Sequence, residues 1–416
     1  MNRLTPEEKI DLVHGDVDPT GIATGYIPPN DRLDIPSFSL VDGPLGVRAG
    51  DGSPSTAFPA SIALASSWDP DLASEMGETM AKEARAKDQD VLLAPGFNLL
   101  RVPQCGRSFE YYSEDPYLNS RIAVGSVEGI QAGGVAACAK HYAVNNQESD
   151  RMEMSSNLDE RPLRELYLPA FEAVVKEAAV GSIMAAYNRI NGTHATEHRR
   201  LLTDILKDEW GFEGFVVSDW WATTDGVAAA RTGLDLDMPG TTFPEMAPEL
   251  NVLYRTIDTF SAFDWFSASD VTRLILSVVG REPGEPHVDR AEKFDDDLRT
   301  AIEDGRLDES ILDEKVRRIL GQMERFGVLD DDQPDGEIDV PAHHEQSRRV
   351  AERGAVLLQN DDGAVPLDLD EIEEIAVVGP HGDEPKVGGG GSSEVEPSSQ
   401  VSPVDGIKYR TGDDAV

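Results

Sequence analysis

The stretch that decides the fold is Phe215-Val216-Val217-Ser218-Asp219-Trp220-Trp221. Short β-branched runs are typical of buried strands, and this run ends in groups that do not belong in a core. Asp225, with Thr223 and Thr224, offers N-cap oxygens for an Ala-rich helix predicted from Gly226. The order of strand, acid and helix places Asp219 at the carboxyl end of a strand, where α/β proteins carry their chemistry. On this stretch alone, a simple cap or turn residue is the alternative.

The same order recurs outward along the chain. Short apolar strands alternate with amphipathic helices, and strand after strand ends in a polar or ionisable residue: Asp42, Lys140 with His141, Tyr187, Asp219 and Asp237. This series predicts a (β/α)8 TIM-type barrel with one cluster of side chains at its C-terminal face. A doubly wound sheet is the alternative, although no phosphate-binding fingerprint follows the first strand.

The length of 416 residues allows one large domain and part of a second. We place the barrel at residues 1–328, with a poorly matching segment at about 241–286. An Asp-rich stretch with Pro and Gly predicts a linker over residues 329–344. The remainder, 345–416, is predicted to be an incomplete α/β sandwich domain with a strand at 375–378.

The charge balance limits the partners. A formal net charge of −41 would be repelled by phosphate backbones and anionic membranes, so nucleic acid and membranes are excluded. The acidic residues are spread along the whole chain, which predicts a halophilic surface rather than an acidic binding tail. Thr5, Pro6 and Glu8 form a helix start instead of a signal peptide, and no apolar run reaches membrane-spanning length. We therefore expect a cytoplasmic protein.

The sequence predicts no cofactor and no metal site. Cys105 and Cys138 do not have metal-ligand spacing. His343 and His344 lack a third ligand nearby and are interpreted as solvated histidines in front of a helix. The glycine run at residues 388–391 is interpreted as a flexible loop, because no strand-to-helix context with a lysine supports phosphate binding.

The strand ends supply the groups that a sugar ring requires. Sugar hydroxyls take paired donors and acceptors, and the C–H face of the ring stacks on an aromatic side chain. An oxocarbenium-like transition state needs a carboxylate beneath the anomeric carbon. The candidate residues are the carboxylates Asp42 and Asp219, the cations Arg107, Lys140 and Arg151, the neutral donors His141 and Tyr187, and the indole of Trp220.

Over residues 4–240, and again from about 294 onward, the chain resembles the glycoside hydrolase family 3 β-glucosidases. The resemblance is carried by ordered motifs: Asp42-Gly43-Pro44; Gly106-Arg107-Ser108-Phe109-Glu110; Lys140-His141-Tyr142 leading to Arg151; Met184 to Asn188; Ser218-Asp219-Trp220; and Leu357-Leu358-Gln359-Asn360. The resemblance implies hydrolysis of terminal nonreducing β-D-glucosidic or related bonds. The implied partner is a small-molecule or oligosaccharide β-glucoside.

The resemblance also implies a role for each matching residue. Asp219 would be the nucleophile of a retaining mechanism, and Asp42 would accept the distal hydroxyls of the nonreducing glucose. The remaining sugar contacts would come from the donors Arg107, Lys140, His141 and Arg151, from Tyr187 beside the nucleophile, and from Trp220 as an aromatic wall. Glu110 is interpreted as positioning Arg107 or its loop.

The general acid/base is where the chain departs from the family pattern. In the family it is a glutamate of the second domain, and Glu394 and Glu396 lie too near the glycine run to match it. We therefore expect the acid/base beyond residue 416. Two alternatives follow: a carbohydrate-binding fragment without turnover, and a Schiff-base barrel enzyme that uses Lys140.

Overall fold

The computed structural model describes residues 3–240, 293–330, 332–368 and 371–412. The segment predicted to match poorly, 241–286, lies outside the described residues. Among the helices that are described, none combines the length and apolar character needed to cross a membrane.

A curved sheet forms the centre of the structure. It contains, in spatial order, β1 (Gly25–Ile27), β2 (Phe38–Asp42), β3 (Val91–Leu93), β4 (Ala136–Tyr142), β6 (Ser182–Ala185) and β9 (Phe215–Ser218). From β2 to β9 all neighbours are parallel. A small second sheet contains β5 (Ser155–Ser156), β7 (Arg189–Ile190) and β8 (Thr193–His194). The strand predicted from Phe215 to Ser218 is confirmed to the residue.

Two further extended segments close the sheet into a barrel. Leu236 bridges in parallel to Val217 of β9, and the next residue, Asp237, bridges in parallel to His14. The backbone N–H of Asp16 then donates to the carbonyl O of Tyr26 in β1 at 2.8 Å. The ring therefore runs from β1 through β9 and back to β1, which confirms the predicted TIM-type barrel. A closed ring leaves no unpaired sheet edge.

The composition of the strands suits a barrel, in which both faces of each strand are covered. Every residue of β2, β4 and β9 is buried. In a barrel one face of each strand meets the interior and the other meets the helices, so such strands are nearly continuous apolar runs. Polar residues at the carboxyl ends of these strands mark the rim, where Asp42 ends β2 and Asp219 follows β9.

Helices surround the barrel and begin where the sequence supplies caps. They are α1 (Pro6–Asp11), α2 (Ser61–Ser66), α3 (Pro70–Arg85), α4 (Pro116–Ala132), α5 (Pro169–Lys176), α6 (Gly226–Thr232), α7 (Asp296–Glu303), α8 (Glu309–Arg325), α9 (Val340–Gly354) and α10 (Pro403–Thr411). Wide, π-type helices cover Leu163–Tyr167 and Arg200–Glu209. The Thr5 and Glu8 capping box of α1 is confirmed, and so is the Asp225 cap of α6.

The first strand of the ring, β1, pairs antiparallel with β2. Two predictions about local structure are wrong. Helix α9 begins at Val340, inside the predicted linker, because Asp339 caps it and Pro341 lies in its first turn. Residues 375–378 form no strand; Val378 is 93% exposed, and a strand needs a hydrogen-bonded neighbour that these residues lack among those described.

Two segments interpreted as solvated or flexible are packed against the barrel. His343 is buried within α9, and its Nδ1 lies 2.7 Å from Oε1 of the fully buried Glu83. The glycine run is also in contact, since a Cβ on Gly389 would lie 2.2 Å from the ring of Phe109. The interpretation of His343 as solvated was wrong, because its partner Glu83 is distant in sequence.

Helices α3 and α4 cross at very short range. A Cβ on Gly129 of α4 would lie 1.9 Å from the carbonyl O of Ser74 in α3. The crossing therefore requires glycine at residue 129, because any side chain would push the two backbones apart. Gly321, also inside a helix, has no atom within 4 Å of its Cβ position.

These two glycines make a matched test of the packing. Gly129→Ala should lower the free energy of unfolding by about 3 kcal/mol, since backbone atoms must move to admit the methyl group. Gly321→Ala should raise it by about 0.5–1 kcal/mol, because alanine loses less entropy in a helix. Urea unfolding followed by circular dichroism measures both. Equal effects of the two substitutions would contradict the close crossing.

Candidate active site

Asp219 occupies the rim of the barrel directly after β9. Its backbone N–H donates to the carbonyl O of Ala185 at 3.0 Å, which continues the pairing of β9 with β6. The side chain is buried, with 7% of the residue exposed. Oδ1 accepts the backbone N–H of Trp220 at 2.9 Å. Oδ2 has no hydrogen-bond partner among the described residues; Nε2 of His141 lies 3.7 Å away.

Three cations act on this carboxylate. Burial raises the pKa of Asp219, because desolvation penalises the charged form. The charges of Arg107, Arg151 and Lys140 oppose that rise and favour the carboxylate, as does the N–H of Trp220. The predicted cations Arg107, Lys140 and Arg151 are thus brought into one electrostatic cluster with Asp219.

His141 is held as a neutral ring. Burial, followed by the charges of Arg107 and Lys140, holds its pKa well below the usual value. Its backbone is clamped by Asn98, which accepts the N–H of His141 at 2.9 Å and donates to its carbonyl O at 2.9 Å. The hydroxyl of Tyr111 lies 3.3 Å from Nδ1. If that hydroxyl donates to Nδ1, the ring proton resides on Nε2 and faces Asp219.

Each arginine of the cluster has its own glutamate. Nε of Arg107 donates to Oε1 of Glu110, which has no exposed surface. Burial opposes ionisation of Glu110, but Arg107 and Lys140 outweigh it and hold its pKa below the usual value. Nη1 of Arg151 donates to Glu148 at 3.1 Å. The sequence interpretation of Glu110 as a partner of Arg107 agrees with this geometry.

Aromatic side chains line the same region. The guanidinium of Arg151 lies 4.6 Å from the ring centroid of Tyr187, within cation–π range. The indole N–H of Trp220 donates to the carbonyl O of Thr24 at 3.2 Å. The hydroxyl of Thr24 in turn lies 3.2 Å from Oδ2 of Asp42. Thr24 therefore links Trp220 to Asp42, and both are buried.

Some residues of this site were missed from the sequence. Glu148 pairs with Arg151, and burial raises its pKa although Arg107 and Arg151 oppose the rise. Its spacing of three residues from Arg151 could have indicated the pair. Thr24 and Asn98 could not be found in this way, because their contacts join distant parts of the chain.

One predicted strand-end residue takes a different environment. Asp237 lies on the segment that closes the barrel, where the hydroxyl of Thr223 donates to Oδ1 at 2.5 Å. Burial raises the pKa of Asp237 to about 6, although the Thr223 hydrogen bond opposes the rise. Asp237 thus has a partner within the barrel wall.

Comparison with known proteins relates this geometry to one family. A model described as the Glycosyl hydrolase family 3 N terminal domain matches residues 26–235, and one described as the Glycosyl hydrolase family 3 C-terminal domain matches residues 355–415. Thermostable beta-glucosidase B of Acetivibrio thermocellus is 35% identical over 99% of this chain and 48% of its own length. An exo-alpha-(1->6)-L-arabinopyranosidase of Bifidobacterium breve is 36% identical over 98% of this chain and 48% of its own length.

Solved structures give the same result. The Streptomyces venezuelae β-glucosidase DesR, in complex with D-glucose, superposes with a TM-score of 0.84 at 39% identity, over 100% of this chain and 48% of its own. β-Glucosidase 3B of Thermotoga neapolitana, in complex with α-D-glucose, superposes with a TM-score of 0.82 at 34% identity, over 98% of this chain and 53% of its own. The chain thus spans about half the length of the relatives it matches.

The environment of Asp237 predicts a pH-dependent stability difference. Below about pH 4 the group is protonated in both states, and between there and pH 6 only the folded state retains the proton. Its contribution to stability should therefore fall as the pH rises, by about 3 kcal/mol in all. Asp237→Asn keeps an acceptor for Thr223 without the charge. The difference in unfolding free energy, Asp237→Asn minus wild type, should therefore increase by this amount between pH 4 and pH 7.

Urea unfolding at a series of pH values at constant salt measures that difference. Asp208→Asn, at an exposed position, is the control for the loss of one negative charge. A gap between wild type and Asp237→Asn that stays constant with pH would contradict the buried, protonated carboxyl.

Proposed function

Because the chain belongs to glycosyl hydrolase family 3, we propose that it hydrolyses terminal, nonreducing β-D-glucosidic bonds with retention of configuration. The substrates are small-molecule or oligosaccharide β-glucosides. The nucleophile is Asp219. The observation that carries this assignment is Oδ2 of Asp219, a buried carboxylate oxygen without a hydrogen-bond partner among the described residues.

An unpartnered buried oxygen is costly unless a ligand uses it. Oδ2 lies at the C-terminal rim of the barrel, where substrates of TIM-type barrels bind. In the proposed first step Oδ2 attacks the anomeric carbon, a C–O bond to Asp219 forms, and the bond to the leaving group breaks. Water then cleaves the glycosyl ester and releases Asp219 as a carboxylate.

The surrounding charges support a nucleophile. A nucleophilic carboxylate must be ionised, and burial alone would favour its protonated form. Arg107, Arg151 and Lys140 oppose that effect, so the cluster stabilises the attacking form. His141 is neutral, so it adds no further charge beside Asp219.

The remaining residues bind the sugar in this proposal. Asp42 accepts hydrogen bonds from the distal hydroxyls, and Trp220 supplies an aromatic wall. Thr24 connects these two residues, because it contacts both of them. Tyr187 packs on the guanidinium of Arg151, one of the cations that act on Asp219. The hydrogen bonds to the sugar hydroxyls are donated by Arg107, Lys140, His141 and Arg151.

His141 is not suited to be the general acid. Burial and the neighbouring cations hold its pKa well below the usual value, so the ring carries no imidazolium proton at neutral pH. We propose that the acid/base glutamate lies outside the described residues. A leaving group that departs without protonation isolates the step assigned to Asp219.

A second sugar is favoured by one observation. The arabinopyranosidase of Bifidobacterium breve is as similar to this chain as the β-glucosidases are. An α-L-arabinopyranoside lacks the hydroxymethyl group of a β-D-glucoside and has the opposite configuration at C4, so contacts to the groups at C4 and C5 decide between the two sugars. Dinitrophenyl β-D-glucoside and dinitrophenyl α-L-arabinopyranoside should therefore be compared in the same assay, and the glucoside should react faster.

With dinitrophenyl β-D-glucoside the wild type should release dinitrophenolate in a burst equal to the enzyme concentration. Asp219→Asn should abolish the burst, a rate loss of at least about 10⁴-fold, as expected for a missing nucleophile. Added azide should give β-glucosyl azide with the wild type, by attack on the covalent intermediate. With Asp219→Gly it should give α-glucosyl azide, because azide then replaces the carboxylate.

The exposed Asp208→Asn is the control, and circular dichroism must first show that every variant is folded. An undiminished burst in Asp219→Asn would contradict the nucleophile. Glucose binding without any burst would instead indicate a carbohydrate-binding fragment. Borohydride trapping of substrate on Lys140 would indicate Schiff-base chemistry.

A further inference from the structure

Residues 388–398 contact two loops at the barrel rim, the loop that follows Asp42 and the loop that carries Arg107. The backbone N–H of Ser55 donates to the carbonyl O of Glu396 at 2.9 Å, and the N–H of Ser398 donates back to the carbonyl O of Ser55 at 3.0 Å. Val395 is buried beside Gly46, in the loop that follows Asp42. The segment thus bears on the Asp42 side of the site.

The same segment meets the loop that carries Arg107. The backbone of Gly389 packs so closely on Phe109 that a Cβ would overlap the ring. Four residues later, the hydroxyl of Ser393 donates to Oε2 of Glu110. The other oxygen of Glu110 accepts Nε of Arg107. Ser393 is 2% exposed and Glu110 has no exposed surface, so water does not compete for this chain of contacts.

We propose that Ser393 is a positioning residue that orients Arg107 through Glu110. This inference rests on the proposed function, in which Arg107 donates hydrogen bonds to the sugar and is one of the cations that favour ionised Asp219. A carboxylate with only one oxygen engaged can rotate about its terminal bond. Once Ser393 holds Oε2, the rotation is stopped and Oε1 presents one fixed direction to the guanidinium. Through this contact, residues 388–398 set the geometry of the cations around Asp219.

Ser393→Ala should raise the dissociation constant for glucose about tenfold, the scale expected when one buried acceptor is left unpaired. KM for dinitrophenyl β-D-glucoside should rise with it, whereas the rate of the burst at saturation should change less. Ser393→Thr keeps the hydroxyl and should restore most of the affinity. Ser392→Ala, one residue earlier and not bonded to Glu110, is the matched control and should match the wild type.

A double-mutant cycle with Arg107→Lys separates positioning from general loosening. Lysine keeps the charge but lacks the guanidinium fork. If Ser393 acts through Arg107, Ser393→Ala should have no further effect on glucose affinity in the Arg107→Lys background. Full additivity of the two effects would overturn the inference.

Amide hydrogen exchange tests the contact without any sugar. Exchange of residues 108–111 should rise in Ser393→Ala and stay unchanged in Ser392→Ala. If the wild type neither binds glucose nor shows a burst, the proposed function fails. The contact between Ser393 and Glu110 is then tested by the hydrogen-exchange measurement alone. Unchanged exchange in Ser393→Ala would overturn the inference even where the wild type is active.

Discussion

The proposed activity depends on keeping one buried carboxylate ionised. Asp219 sits where burial favours its protonated form, and Arg107, Arg151 and Lys140 oppose that preference together. A cluster of buried like charges is itself unstable unless each member is paired. Glu110 and Glu148 supply those pairs for the two arginines. The carboxylates around Asp219 are therefore part of its electrostatics, even though they do not touch it.

The barrel explains how residues so far apart in sequence meet. Parallel strands end at the same rim, so one end of the ring holds Asp42 at the end of β2, Lys140 and His141 in β4, and Asp219 after β9. Residues 388–398 add contacts that the barrel itself does not provide. They contact the loops of Asp42 and Arg107 through Val395, Gly389 and Ser393, and so couple the two sides of the proposed sugar site.

Much of this was predictable where local chemistry decides the structure. The strand at Phe215–Ser218, the Asp225 cap and the Glu110 partner of Arg107 each follow from neighbours within a few residues. Predictions failed where a distant partner decides. His343 is predicted to be solvated but is buried against Glu83, which lies 260 positions away in the sequence. The strand predicted at 375–378 is apolar enough but has no described neighbour to pair with.

The central claim is that Oδ2 of Asp219 bonds to the anomeric carbon. Dinitrophenyl 2-deoxy-2-fluoro-β-D-glucoside tests it most directly, because the fluorine slows both steps while the activated leaving group keeps the first one faster. The ester should accumulate, and mass spectrometry of a peptic digest should find the fluoroglucosyl mass on the peptide that contains Asp219. A label on any other carboxylate, or an equal label in Asp219→Asn, would contradict the account.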